Sequence, residues 1–270
     1  MTLCIAWKNN NQIHFASDSR MTLAPNSRVD VGIKVLSVPV KIYSPSDEHG
    51  NKTLEFEYSY GMCFAGSTVN SYLIKESITE VLQHLQYAPR YTDVSMDSIC
   101  KLIFKVYKQI STEICSSSLA ERGISNLIIG GYCPKKEIIR AFQFSTTIDN
   151  IHSCNEILID NGRYWVTGSG SKYAETILSD TPPPLSNTRY LEILKKVIDS
   201  DAIEDVGGNI QYGKFEGQDF KVYGIVEYDQ VRKAHYYSRG LDLNSPEFQE
   251  GYNDFIISYQ YIDPFNTFGR

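Results

Sequence analysis

MTLCIAWKNNNQIHFASDSRMT, residues 1–22, decides how the rest of the chain is read. Apolar residues run from Leu3 to Trp7, the asparagines Asn9, Asn10 and Asn11 follow, and a second mostly apolar run, Ile13 to Ala16, ends in Ser17-Asp18-Ser19-Arg20. Two strand-like runs about a cluster of turn formers predict a β-hairpin with Asn9 to Asn11 as its loop. A register centred on Asn10 sets Thr2 opposite Asp18. In that register Leu3, Ile5 and Trp7 share a bulky, core-like face with Ile13, Phe15 and Ser17, while Cys4, Ala6, His14 and Ala16 lie on a smaller face beside Thr2 and Asp18. A second excursion through Ala24-Pro25-Asn26-Ser27 is rich in turn formers and returns Lys34 to the level of Asp18. The pattern therefore predicts a hydroxyl at the chain start beside a carboxylate and an ammonium.

That cluster has a chemical logic once Met1 is removed. Thr2 then carries a free α-amine, whose ordinary pKa of about 7.7–8.0 lets it accept a proton near neutral pH. The amine can act as general base for the Thr2 hydroxyl, through a water, which joins nucleophile and base in one residue. Lys34 lowers the hydroxyl and amine pKa values by its charge, and Asp18 pairs with Lys34 and fixes its position. Initiator methionine is commonly removed before small residues such as threonine, so no self-cleaving propeptide is required.

Composition narrows the partners. A chain of 270 residues is long enough for one large domain or two small ones. The net charge of −6, pI near 5.4 and the absence of clustered Lys and Arg argue against a nucleic-acid binder, leaving peptides or small molecules. The N-terminus has no basic region followed by an apolar run, and no apolar stretch approaches the roughly 20 residues that span a bilayer, so the expected compartment is the cytoplasm, without membrane association. Cys4, Cys63, Cys100, Cys115, Cys133 and Cys154 lack CxxC or Cys/His ligand spacing, which predicts reduced, buried thiols and no metal site. GxxxxGK[ST] and GxSxG are both absent, and no combination of strand, glycine loop and acidic residue supports a dinucleotide, so no cofactor is expected.

Along the chain, Val31 to Val40 reads as a strand, Tyr43 to Thr53 as a polar loop and Glu55 to Ala65 as another strand. Two helices follow. Ile74, Ile78, Val81, Leu82 and Leu85 recur at helical spacing in the first. In the second, after Asp93 as N-cap, Ile99, Leu102, Ile103, Val106, Ile110 and Ile114 do the same. Strand-like segments follow at 126–132, 137–144, near Leu158 and at 164–167. Helices are predicted over 172–178 and 190–198, then strands near 210–215 and 221–227. This order suits an α+β fold, a four-layer αββα sandwich with two antiparallel sheets between helix layers.

With these residues in view, the segment from Thr2 through Asp18-Ser19-Arg20 to Ile33-Lys34-Val35 resembles the start of the proteasome β-subunit family of N-terminal nucleophile hydrolases, with HslV and Anbu the nearer bacterial relatives. The spacings from Thr2 to Asp18 and Lys34 match that family's without a gap. GMCFAGSTVN (61–70) resembles its strand-to-helix turn, WVTGSGSKYAETIL (165–178) its glycine-serine turn beside the nucleophile, and VGGNIQ (206–211) its late glycine pair. The resemblance covers roughly residues 2 to 228. It implies Thr2 as nucleophile, Asp18 and Lys34 as its charged partners, the Gly66 amide as oxyanion donor and Ser169 as a polar neighbour of the α-amine.

The sequence also departs from the family. Aligned on Gly207 and Gly208, Ile203 and Val206 stand where the family has an Asp and a Ser; Glu204 or Asp205 could substitute after a local shift. Tyr43 to Thr53 resembles an insertion, and a tyrosine-rich tail passes the family core, giving a domain over 1–228 and an extension over 229–270 that packs on it or on a neighbouring subunit. Lys41 competes with Lys34 as the ammonium, with spacing favouring Lys34, and His14 reads as a structural histidine. The leading expectation is a threonine peptidase acting on peptides or unfolded protein within a homo-oligomeric ring or helical assembly, its ATPase partner unknown. The alternatives are a non-catalytic proteasome-like scaffold and a small-molecule amidase of the same superfamily.

Overall fold

The computed structural model describes residues 2–24, 27–88, 93–117, 119–180, 185–200, 202–229, 231–245, 248 and 260–265. Met1, the Pro25-Asn26 tip and part of the tail, which the sequence reading invoked, lie outside those residues.

The opening hairpin forms, in a different register. β1 (Leu3–Asn9) and β2 (Gln12–Ser17) pair Cys4 with Ser17, Ile5 with Ala16 and Trp7 with His14, closing on Asn10 and Asn11 alone. Both loop residues are left-handed, with φ of 48° and 62°, as a two-residue type I′ turn requires and as asparagine tolerates. The three-residue loop was therefore one residue too long. Leu3, Ile5 and Trp7 share their face with His14 and Ala16, while Cys4 and Ala6 go with Ile13, Phe15 and Ser17. Leu3, not Thr2, stands opposite Asp18. Residues of both faces pack into buried apolar clusters.

A small hairpin of β3 (Met21–Ala24) and β4 (Ser27–Val29) leads to β5 (Val35–Tyr43) and β6 (Leu54–Gly66). Then come α1 (Thr68–Leu82), the short β7 (Leu85–Gln86), α2 (Met96–Ser116), and β8 (Ser125–Cys133), β9 (Ile138–Thr146), β10 (His152–Ile157) and β11 (Tyr164–Gly168). Leu85, assigned to the first helix stripe, lies in β7. Ser95 rather than Asp93 caps α2, accepting from Ser98 N at 3.3 Å, and Asp93 instead accepts from Ser95 N and Ser98 Oγ. α3 (Ser171–Ser179) and α4 (Asn187–Ile198) precede β12 (Gln211–Glu216) and β13 (Asp219–Tyr228). From the tail, β14 (Ala234–Ser238), β15 (Leu241–Asp242) and β16 (Tyr261–Ile262) extend the sheet beyond β13.

The fold is mixed α/β, with strand orders β11-β1-β2-β12-β13-β14-β15 in one sheet and β10-β9-β8-β6-β5-β7 in the other. The period-two alternation of strands divides the core three ways. Tyr60, Met62, Phe64, Leu127 and Ile129 pack on Ile74 and Ile78 of α1 and Ile99 and Ile103 of α2. Leu3, Ile5, Trp7 and Tyr212 pack on Leu178 of α3 and Leu191 and Leu194 of α4. Between the sheets Phe15, Phe215 and Phe220 meet Cys63, Ala65 and Ile128. Glycines make room for those rings: a Cβ on Gly61 would stand 2.5 Å from Phe220, and one on Gly130 2.9 Å from Phe15.

Candidate functional site

Asp18, just past the end of β2, is fully buried and accepts four donors. Its Oδ1 takes Leu3 N and Lys34 Nζ, each at 2.9 Å, and its Oδ2 takes Arg20 N at 3.1 Å and Gly207 N at 3.2 Å. Lys34 is 1 % exposed and gives the carboxylate one of its three N–H donors. Taking two charges out of water costs several kcal/mol per ion before their attraction is counted, so a buried pair is a poor device for stability alone. Gln211 holds the lysine backbone: its Oε1 accepts from Lys34 N at 2.9 Å and Val35 N at 3.3 Å, while its Nε2 donates to Gly32 O. Ser17 Oγ donates to Leu3 O at 2.9 Å, fixing the residue after Thr2 from a second side.

Thr2 is buried against the turn that follows β11. Gly168 has φ of +108°, and a Cβ there would fall 2.0 Å from Thr2 O and 3.2 Å from Ala65 Cβ, so only glycine lets these segments close on one another. Gly170 N and Ser169 Oγ both lie 3.5 Å from Thr2 O. The turn thus holds the Thr2 carbonyl.

Gly66, φ +106°, ends β6 next to this turn. Ser67 N donates to Ile124 O at 2.7 Å, which makes Gly66 and Ser125 a non-hydrogen-bonded pair of the antiparallel ladder. Its alternation turns the Gly66 N–H away from β8, toward the side where the β5 pairing has its first partners, Val35 and Cys63. Thr2, Asp18, Lys34, Gly66 and Ser169 are in this way drawn together from the two sheets.

The late glycine pair docks on the Asp-Ser-Arg segment. Gly207 O accepts from Ser19 N at 3.2 Å and Arg20 N at 3.1 Å, Ser19 Oγ accepts from Asn209 N at 2.8 Å, and the Arg20 guanidinium, held by Asp30, fills the space where a Gly207 Cβ would stand. Ile203 packs against the apolar cluster under α3 and α4, of which Val206 is part. Glu204 pairs with Arg28, and Asp205 accepts from Thr22 Oγ1 at 2.8 Å. Both carboxylates are engaged by the β3–β4 hairpin.

The remaining candidates separate cleanly. Lys41 pairs with Glu57 at the surface, 3.1 Å away. His14 is buried, stacked on Trp7 at 5.0 Å and bonded through Nδ1 to Tyr212 OH at 2.7 Å; burial, aided by Lys214, brings its pKa down to about 3. Its Nε2 has no hydrogen-bond partner among the described residues, so it is a structural histidine satisfied on one side only. Gln211 and Ser17 went unassigned in sequence reasoning although Gln211 closes the VGGNIQ segment. Among the described residues no group of three or more His, Cys, Asp and Glu could hold a metal ion. None of the described helices is long and apolar enough to cross a membrane.

No protein-family model matches this sequence, and no curated protein matches it. Solved structures do. The Anbu complex from Pseudomonas aeruginosa, a helical assembly, aligns at TM-score 0.57 and 14% identity over 92% of this chain and 90% of that one. The Gly-1 mutant of Anbu from Hyphomicrobium sp. strain MC1 gives 0.57 and 14% over 93% and 91%. Anbu, the ancestral β-subunit, from Yersinia bercovieri gives 0.56 and 15% over 82% and 86%. At such identities the likeness shows the fold: this chain has a proteasome-like, Anbu-type architecture.

Proposed function

We propose that this chain is a threonine-type peptidase of the N-terminal nucleophile kind, acting on peptides or unfolded protein within a homo-oligomer. The observation that carries the reading is Asp18 Oδ1, which accepts from both Leu3 N and Lys34 Nζ and so ties the residue next to Thr2 to a buried ammonium. With Met1 removed, the Thr2 amine takes the hydroxyl proton through a water while Oγ bonds to the substrate carbonyl carbon. The carbonyl π electrons move to oxygen, and the Gly66 N–H stabilises the resulting oxyanion. One such donor is worth about 2.7–4 kcal/mol of barrier. The protonated amine then gives its proton to the leaving nitrogen, the C–N bond breaks, and water hydrolyses the ester left on Thr2. Lys34 keeps two further N–H donors for the charge that develops at Oγ, and Ser169 stays near the amine. We read the sheets and helices as the four layers of an αββα sandwich, with a domain over 1–228 and an extension over 229–270 that packs on it or on a neighbouring subunit.

Thr2→Ala should abolish peptide turnover while the variant sediments as the wild-type assembly does; turnover that survived would sink the proposal. One observation favours a second reading, a scaffold without turnover: the 203–206 segment turns Ile203 and Val206 to the apolar core and engages both its carboxylates on the hairpin.

A further inference from the structure

A chain of buried hydroxyls runs from the surface of α2 to the two sides of the Gly66 turn. Ser71, Asn70, Ser111, Ser125 and Tyr107 are all fully buried, and Thr146 nearly so. Counting protons gives the chain a direction, since each hydroxyl has one to donate. Tyr107 OH donates to Ser125 O at 2.7 Å, so the 2.8 Å contact with Thr146 Oγ1 is donated by the threonine. Thr146 Oγ1 therefore accepts from His152 Nδ1–H at 2.8 Å, which leaves Nε2 to accept from Thr112 Oγ1 at 3.0 Å. On the other side, Ser71 Oγ donates to Ser67 O at 2.7 Å, so the Ser125 hydroxyl donates to Ser71. Asn70 Nδ2 donates to Gly123 O at 2.7 Å and Ser111 Oγ at 3.2 Å.

Every acceptor on the backbone side of this network flanks Gly66: Ser67 on its own strand-to-helix turn, and Gly123 and Ser125 on the segment facing it. Backbone alone holds that junction by Ser67 N to Ile124 O, and Gly66 cannot shift toward β8, because the space beside its Cα is filled by Ile124 O, 2.4 Å from where a Cβ would stand. The hydroxyls thus buttress both sides of the Gly66 amide, which the ladder leaves turned away from β8.

We infer that Tyr107 and Ser71 are positioning residues that hold the Gly66 amide at the place where the oxyanion forms. This rests on the reading of Gly66 as oxyanion donor and Thr2 as nucleophile. Losing a donor outright costs about 10²–10³ in kcat; misaiming it without removing it costs part of that.

The test compares two probes on Tyr107→Phe and Ser71→Ala. A peptide aldehyde accepts Thr2 Oγ at its carbonyl carbon and forms a tetrahedral adduct whose oxygen needs the Gly66 amide. A peptide vinyl sulfone takes the same Oγ at a carbon–carbon double bond, the hydroxyl proton passing to the adjacent carbon, and forms no carbonyl oxyanion. Each variant should bind the aldehyde on the order of tenfold less tightly and lose a similar factor in kcat with KM within about twofold, while vinyl sulfone labelling keeps its wild-type rate within about twofold. Equal losses with both probes would make these residues merely structural and overturn the inference, as would wild-type affinity for the aldehyde in both variants. A wild-type chain that reacts with neither probe overturns the site reading, and this inference falls with it; that outcome is distinct because it appears before any substitution is made.

Discussion

Asp18 has four donors and no exposure, so its hydrogen-bond partners stand where water would on the surface. His14 shows the opposite solution. Its imidazole is buried beside Trp7 and Tyr212 without a carboxylate, so the neutral form is favoured and the pKa falls to about 3. The unfolded chain keeps the ordinary value of 6.5, so between pH 6.5 and 3 the unfolded state binds more protons and stability declines as pH is lowered, by about 1.4 kcal/mol per unit. Replacing His14 with Phe removes this term. The stability of His14→Phe relative to wild type should rise by about 2 kcal/mol between pH 7 and pH 5, measured by urea denaturation at both; curves that fall in parallel would show that His14 does not titrate on unfolding. At this scale the spacing of Thr2, Asp18 and Lys34 was legible because two short turns fix it. Gln211 was not, because its bridge to Lys34 and Gly32 exists only once β12 pairs with β2, across nearly two hundred residues of chain.

Among the elements, the opening hairpin carries the sharpest lesson. Its existence was readable from two apolar runs about three asparagines, but its register turned on whether the loop held two residues or three. A slip of one residue moves every side chain to the other face. Had Thr2 stood opposite Asp18, its own amide would have met the carboxylate; with Leu3 there instead, the Leu3 amide is taken and Thr2 projects one residue beyond the pair. The left-handed turn is what sets this. Asn10→Val should cost about 1–2 kcal/mol in a thermal or urea melt, because a β-branched residue is forced to φ near 48°, whereas Asn10→Gly should be tolerated. Equal melts for the two would mean that pairing with β11 and β12, rather than the turn, determines the register. The helix stripes were legible for a simpler reason, since a 3.6-residue period has no second register to choose.

For the whole molecule, the alternation of apolar residues in β1, β2, β6 and β8 supplies both an inter-sheet layer and a face for helices, which is why the strand-and-helix order could be read as sheets layered with helices before any coordinates. The tail was less legible: tyrosines at Tyr236, Tyr237 and Tyr261 gave no strand signal, although β14 and β16 both pair with β13. The catalytic proposal depends on one covalent fact, whether the amine of Thr2 is free and its hydroxyl reactive. The direct measurement is the intact mass of the purified protein before and after incubation with a peptide electrophile that is selective for an N-terminal threonine, with Thr2→Ala alongside. The account expects a species lighter than the full chain by one methionine that gains a single adduct in the wild type and none in the variant. A chain that lacks Met1 and gains no adduct would contradict it and leave the fold as a scaffold.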